Sequence, residues 1–387
     1  MAAYSNHEDE FQKEQVFIVA GGHFVHDIYS AFLAPLLPLL IEKFSLSLAM
    51  AGSLSAFMQV PALLNPLIGR LADKSNTRYF VVFAPGVTAT LMSMMGLATS
   101  YYALAAILVV AGVSVASFHS PAPAMVASFS GKRVGKGMGW FMAGGELGRT
   151  LGPLIAVWAA STWTLEGMAR VAVLGWATSF ILFFRLKDIS LEKTRENDLR
   201  EILPKFRSVF LPLASMLFFR TFMTVSMTTY LPVFMKGKGA TLWLAGASLS
   251  IMESAGVLGA LWIGSISDKV GRKKVFLVAS VTSFLLMLAF LRLDGWMLVP
   301  VLLAFGFTSL SLGPVFLALI QDHFPNHRSA ANGAYMFLAF LLRSVGMLLV
   351  GILGDKIGLE TAFLLSALVS LLVIPGILLL PPDPSAE

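Results

Sequence analysis

Apolar runs separated by short charged or turn-rich stretches fill almost the whole chain. Runs of about 20 apolar residues are long enough to cross a bilayer as helices. They fall at 16–41, 48–71, 79–99, 102–127, 138–162, 168–186, 208–234, 242–266, 273–292, 296–320, 331–353 and 359–380. The pattern predicts twelve transmembrane helices and an all-α polytopic membrane protein. One long polar stretch interrupts it: between Lys187 and Arg207 charges of both signs mix with few aromatics, the mark of a solvated linker. The expected organisation is a tail over 1–15, an N-lobe of six spans over 16–186, a cytoplasmic linker over 187–207, a C-lobe of six spans over 208–380 and a tail over 381–387.

Composition agrees with that reading. Of 387 residues 57% are hydrophobic and 13% charged, about half the charged share of a soluble domain. The chain has no cysteine, which excludes a disulfide framework, an iron–sulfur centre, a thiolate metal site and sulfur redox chemistry. The N-terminus carries Glu8, Asp9, Glu10 and Glu14 against Lys13, the wrong sign for a secretory signal, so the first apolar run is kept as a span. The net charge of +6 is explained without nucleic acid. Counting span-end residues with the loops they adjoin, nineteen Lys and Arg fall in the N-terminal tail and the loops after even-numbered spans, and six in the loops after odd-numbered ones. The positive-inside rule then places both termini in the cytoplasm, and the expected location is the cytoplasmic (inner) membrane.

The two halves repeat. Gly69-Arg70-Leu71-Ala72-Asp73-Lys74 follows the second span and Gly264-Ser265-Ile266-Ser267-Asp268-Lys269 the eighth, with Arg78 and Arg272 closing the two loops. Repeated six-helix units with a basic loop after the second helix mark a two-lobed secondary transporter. These loops resemble the cytoplasmic motif of the major facilitator superfamily. The spacing of Gly135, Gly144, Gly148, Gly152 and Pro153 resembles the fifth-helix motif of its proton-coupled exporters. Within that superfamily the chain resembles the fosmidomycin-resistance group of efflux proteins. The resemblance lies at Gly22-His23-Phe24-Val25-His26-Asp27, Ser117-Phe118-His119, Gly144-Gly145-Glu146-Leu147-Gly148 and Leu151-Gly152-Pro153. It implies the major facilitator fold of two pseudo-symmetric lobes and a monomeric carrier working by alternating access. Gly69, Asp73, Arg78, Gly264, Asp268 and Arg272 then become gating residues, with Gly148, Gly152 and Pro153 beside them.

Ionisable residues at membrane depth cost about 2.5–3.5 kcal/mol each on insertion scales, so each needs a reason. His23 and Asp27 share a helix face at i, i+4, with His26 one position off. A carboxyl beside histidine can couple to protons, or Asp27 can be a fixed partner of an arginine. Glu146 and Arg149, at i, i+3, neutralise each other, or Glu146 couples to protons and frees Arg149 for substrate. Arg220 and Arg343 have no acid nearby in sequence. They suit an anionic substrate group, or they pair across helices with Glu253 or Asp27. His119, beside Pro121 and Pro123, is a hydrogen-bonded core residue or a site residue, and Tyr29 and Gln59 are cavity lining by position.

Gly135-Lys136-Gly137-Met138-Gly139 lacks the spacing of a nucleotide-binding loop. The expected protein is therefore no enzyme and has no cofactor or resident metal. Its partners are protons, a small-molecule substrate and lipid. The function that fits best is a proton-coupled exporter of a drug-like or anionic organic compound such as a phosphonate. A proton-coupled importer of an organic anion and a divalent-metal exporter using His23, His26, Asp27 and His119 stay open, and a transporter-derived membrane sensor is disfavoured by the lack of any attached signalling domain.

Overall fold

The structure is a computed structural model and describes residues 11–65, 68, 77–186, 203–324 and 328–381. Every described element is helical. Among the described residues seventeen α-helices run in chain order: α1 (Lys13–Ser30), α2 (Leu33–Phe44), α3 (Leu48–Gln59), α4 (Thr77–Ser93), α5 (Tyr101–His119), α6 (Ala122–Phe129), α7 (Val134–Gly167), α8 (Ala172–Arg185) and α9 (Leu203–Thr229) come first. They are followed by α10 (Leu231–Gly237), α11 (Leu242–Val270), α12 (Arg272–Arg292), α13 (Leu298–Ser309), α14 (Gly313–His323), α15 (Arg328–Ile357), α16 (Leu359–Ser370) and α17 (Val373–Leu379).

As far as the described residues reach, each of the twelve expected spans lands on helix, and half of them are broken once inside. The breaks follow proline, whose ring removes an amide donor and clashes with the carbonyl four residues back. Pro35 follows the α1–α2 break, Pro61 sits in the 3-10 turn after α3, and Pro121 lies between α5 and α6. Pro232, Pro314 and Pro375 do the same for α9–α10, α13–α14 and α16–α17. Among the described residues nine helical stretches are long and apolar enough to cross a membrane. One of them, Val134–Arg185, holds two expected spans over 52 residues, parted near Thr164, whose φ of 64° interrupts the helical geometry.

The chain forms two compact units. The first comprises Met1–Leu36 and Phe57–Thr194, the second Leu37–Ala56 and Arg195–Glu387. In the first, Val16 and Val19 of α1, Val81 of α4, Phe118 of α5, Met125 of α6, Phe141 of α7 and Leu182 of α8 meet in one buried core. In the second, Leu213 and Met216 of α9, Phe276 of α12, Val315 and Leu319 of α14 and Ile377 of α17 do so. The end of α2 and the start of α3 thus belong to the second unit although they precede most of the first.

The crossing of α1 and α7 positions the site. Gly144, Gly148 and Gly152 line one face of α7, and a methyl at each would run into the carbonyl oxygens of Ala20, Phe24 and Ile28 on α1. Small residues let the two backbones touch, the usual basis of close helix approach in a bilayer. This brings Glu146 and Arg149, on the same helix, against the His23–Asp27 face.

Candidate functional site

Inside the first unit three side chains from two helices converge. His23 Nε2 lies 3.3 Å from Asp27 Oδ2, and His119 Nε2 lies 3.3 Å from Asp27 Oδ1. The two imidazole Nε2 atoms are 3.2 Å apart. Asp27 and His23 are almost fully buried, while about a third of the His119 side chain is exposed, so the cluster opens on the His119 side. The break before Pro121 ends α5 at His119 and sets this geometry.

Hydrogen-bond accounting says what the triangle can do. His23 Nδ1 is 2.8 Å from the Phe141 carbonyl and His119 Nδ1 is 3.0 Å from the Val115 carbonyl. A carbonyl only accepts, so both Nδ1 atoms carry the proton and donate it. In the neutral tautomer both Nε2 atoms then present lone pairs to each other and to a carboxylate. Three acceptors at 3.2–3.3 Å repel one another unless a positive charge lies among them, and one added proton turns the repulsion into hydrogen bonds.

Arg149 supplies a second cation at the edge. It donates to Asp27 Oδ2 at 3.4 Å and pairs closely with Glu146. Both sequence alternatives are therefore present: Asp27 faces histidine and arginine together, and Arg149 is divided between two acids. His26 is fully buried and stacked on Phe118, centroids 4.5 Å apart, with neither ring nitrogen hydrogen-bonded among the described residues. One ligand atom from each of His23, Asp27 and His119 lies within 4.8 Å of the other two, a spacing a metal ion could also use.

The other expected residues are dispersed. Tyr29 is buried, and its hydroxyl donates to the Val171 carbonyl at 2.5 Å, tying α1 to the turn before α8 instead of lining a cavity. Gln59 is partly buried, and its carbonyl oxygen has no hydrogen-bond partner among the described residues. In the second unit Arg343 lies 3.4 Å from the Thr228 hydroxyl, and Glu253 is partly buried on α11. Arg220 donates to the Ser309 carbonyl at the end of α13 and lies 5.7 Å from the Phe316 ring centre. Arg272 binds Asp268, Ser267 and, at 3.3 Å, Asp322, all beside the turn that follows Gly264. Arg78 donates to the Phe183 carbonyl. Gly69 and Asp73 lie outside the described residues.

One further polar junction escaped the sequence reading. The Asp355 carboxylate accepts from the backbone N–H groups of Leu48 and Ala49 at 2.7 and 2.8 Å, capping the start of α3. Beside it the Tyr230 hydroxyl lies 2.6 Å from the Met347 carbonyl and 3.2 Å from that of Leu48. The signal was in the sequence: Gly351-Ile352-Leu353-Gly354-Asp355-Lys356-Ile357-Gly358 is a third copy of the Gly264 pattern.

Comparison with known proteins places this architecture. The chain is 26% identical over 368 residues to the fosmidomycin resistance protein of Escherichia coli, covering 90% of this chain and 88% of that protein. It is 24% identical to the multidrug resistance protein MdtG of Dickeya zeae, covering 92% and 91%. The fold matches the nucleoside transporter NupG at a TM-score of 0.77 (15% identity; 95% of this chain, 100% of that one). It matches a D-xylose–proton symporter at 0.76 (15% identity; 98% and 100%). The model of the Major Facilitator Superfamily matches residues 19–346 and 255–387. With its helical spans, repeated loops and two units, the chain is a multi-pass membrane transporter that belongs to the Major Facilitator Superfamily.

Proposed function

We propose that the protein is a proton-coupled exporter, an antiporter working by alternating access as a monomer in the cytoplasmic membrane with both termini cytoplasmic. Its cargo is a small drug-like or anionic organic compound. The observation that carries this reading is the His23–Asp27–His119 triangle, whose three facing acceptors are complete only with a proton among them. The names of the two relatives, resistance to fosmidomycin and to multiple drugs, support export as the direction.

The coupling follows from the shared arginine. With the proton bound, the Asp27 charge is met by an imidazolium, and Arg149 is released toward Glu146 and toward an anionic group of the cargo. With the proton gone, Asp27 reclaims Arg149 and the cargo loses its partner. Such a difference in affinity between two protonation states is what coupling requires. Glu146 buffers the charge of Arg149, and His26, against the same Phe118 ring, relays or packs.

The 3.2–3.3 Å separations favour one other reading, a divalent metal as cargo, because the ligand atoms of a tetrahedral metal site lie about 3.3 Å apart. Arg149 weighs against it: a fixed guanidinium 3.4 Å from Asp27 opposes a doubly charged ion far more than a proton. The experiment is substrate-driven proton movement in proteoliposomes, with phosphonates, carboxylates and hydrophobic antibiotics as cargo and Ni²⁺ or Co²⁺ as the comparison series. The expected result is an organic compound that moves protons through the intact protein and through Arg343→Lys but not through Asp27→Asn. Metal flux with no organic response would reverse the assignment.

A further inference from the structure

The second unit holds a cation that the transport scheme leaves unused. The Arg220 guanidinium, partly buried at membrane depth, donates to the Ser309 carbonyl and lies over the face of Phe316. No carboxylate among the described residues lies within ion-pair distance of it; from α15 the Tyr335 phenol and another cation, Arg343, act on it. A guanidinium does not lose its proton under ordinary conditions, and an uncompensated charge away from water is costly. Capping the carbonyl end of α13 offsets part of that cost. It leaves the other N–H groups of the fork to be satisfied.

Beside the guanidinium is a cavity of about 10 Å³, lined by Arg220, Ser280, Ser283, Ser309 and Ser370 together with apolar side chains. Two of the four serines are engaged elsewhere: Ser370 donates to the Ala367 carbonyl at 2.6 Å and Ser283 bonds Thr308 at 3.0 Å. The other two are not. Ser309 is 1% exposed with no partner for its hydroxyl, and Ser280, 8% exposed, makes no hydrogen bond among the described residues. The cavity thus gathers one fixed positive charge and two idle hydroxyl donors, with no acidic group on its wall. Its small volume suits a compact occupant rather than an organic cargo.

We propose that this cavity binds a single halide ion, chloride in the cell, held by Arg220 and by the hydroxyls of Ser280 and Ser309. A monatomic anion accepts from all three donors at once and supplies the charge that Arg220 lacks, neither of which a water molecule does. The ion is a fixed counter-charge inside the second unit, separate from the proton cluster of the first, so it stands or falls independently of the transport reading.

The test uses the full-length protein in detergent, with thermal unfolding followed in sodium chloride, bromide and gluconate at one ionic strength. Chloride and bromide should raise Tm saturably over gluconate, because a ligand that binds only the folded state stabilises it in proportion to its occupancy. Losing a hydroxyl bond to a charged partner costs roughly tenfold in affinity, so Ser280→Ala and Ser309→Ala should each raise the half-saturating chloride by about that factor. Both should keep their Tm in gluconate. Bromide-soaked crystals should show an anomalous peak beside the Arg220 guanidinium. Equal Tm in chloride and gluconate, serine variants with unchanged chloride response, or a bromide map empty at this cavity would each overturn the proposal and leave water as the occupant.

Discussion

Two turns of the second unit share a sequence pattern and a backbone but not a use. After α11, Gly264-Ser265-Ile266-Ser267-Asp268-Lys269-Val270-Gly271 leads into α12, and after α15, Gly351-Ile352-Leu353-Gly354-Asp355-Lys356-Ile357-Gly358 leads into α16. The connecting glycines have φ of 91° and 80° with ψ of 144° and 152°, a region essentially closed to residues with a Cβ. What differs is the residue four past the aspartate. In the first turn it is Arg272, which takes the Asp268 carboxylate and reaches Asp322 as well. In the second it is Leu359, so Asp355 keeps its charge for the start of α3, where unpaired N–H groups and the helix dipole receive it. The motif fixes the turn, and one flanking position decides whether its acid is spent locally or on a distant helix.

That comparison can be broken at four points. Arg272→Leu should have the largest effect: the side chain is nearly buried between two acids, and leaving them unpaired costs about 3 kcal/mol after allowance for their partial exposure. Tm by tryptophan fluorescence should fall by several degrees, and an unchanged value would show Asp322 to be solvated already. Gly271→Ala and Gly358→Ala should each cost about 2 kcal/mol and should match one another. A tolerated alanine at either site would show that the two backbones are not equivalent. Asp355→Ala should cost about 1 kcal/mol, as loss of a helix N-cap does, with faster amide exchange at Leu48 and Ala49 as the local readout. Leu359→Arg, which copies the first turn into the second, should cost about 0.5 kcal/mol by drawing Asp355 away from α3. If exchange at Leu48 stays slow in that variant, the flanking residue is not what separates the two turns.

The spans were legible because hydropathy and proline act locally: the six breaks inside spans each lie beside a proline visible in the sequence, whereas the parting near Thr164 has none. The i, i+4 pairing of His23 with Asp27 was legible for the same reason. That His119, ninety-six residues beyond His23, completes the triangle was not, since it depends on how α5 crosses α1. Tyr29 reads as cavity lining by position, yet which side of α1 faces Val171 is decided by packing. Arg220 looked like a cargo ligand because sequence shows only the absence of a neighbouring acid. The carbonyl end that it caps exists because Pro314 breaks the helix ninety residues away. Asp355 was missed because the repeat was sought at the spacing of whole lobes, and its copy falls at a shorter interval.

The membership of Leu37–Ala56 in the second unit has a consequence for dissecting the protein. The polypeptide passes between the units at three places, near residues 36, 56 and 194, so severing it in the polar linker does not yield two self-sufficient fragments. A piece beginning at Arg195 would lack the stretch that receives Asp355 and Tyr230. It would carry an acid facing nothing and a phenol left with the Met347 carbonyl alone, until the missing stretch were supplied in trans as a peptide covering Leu37–Ala56.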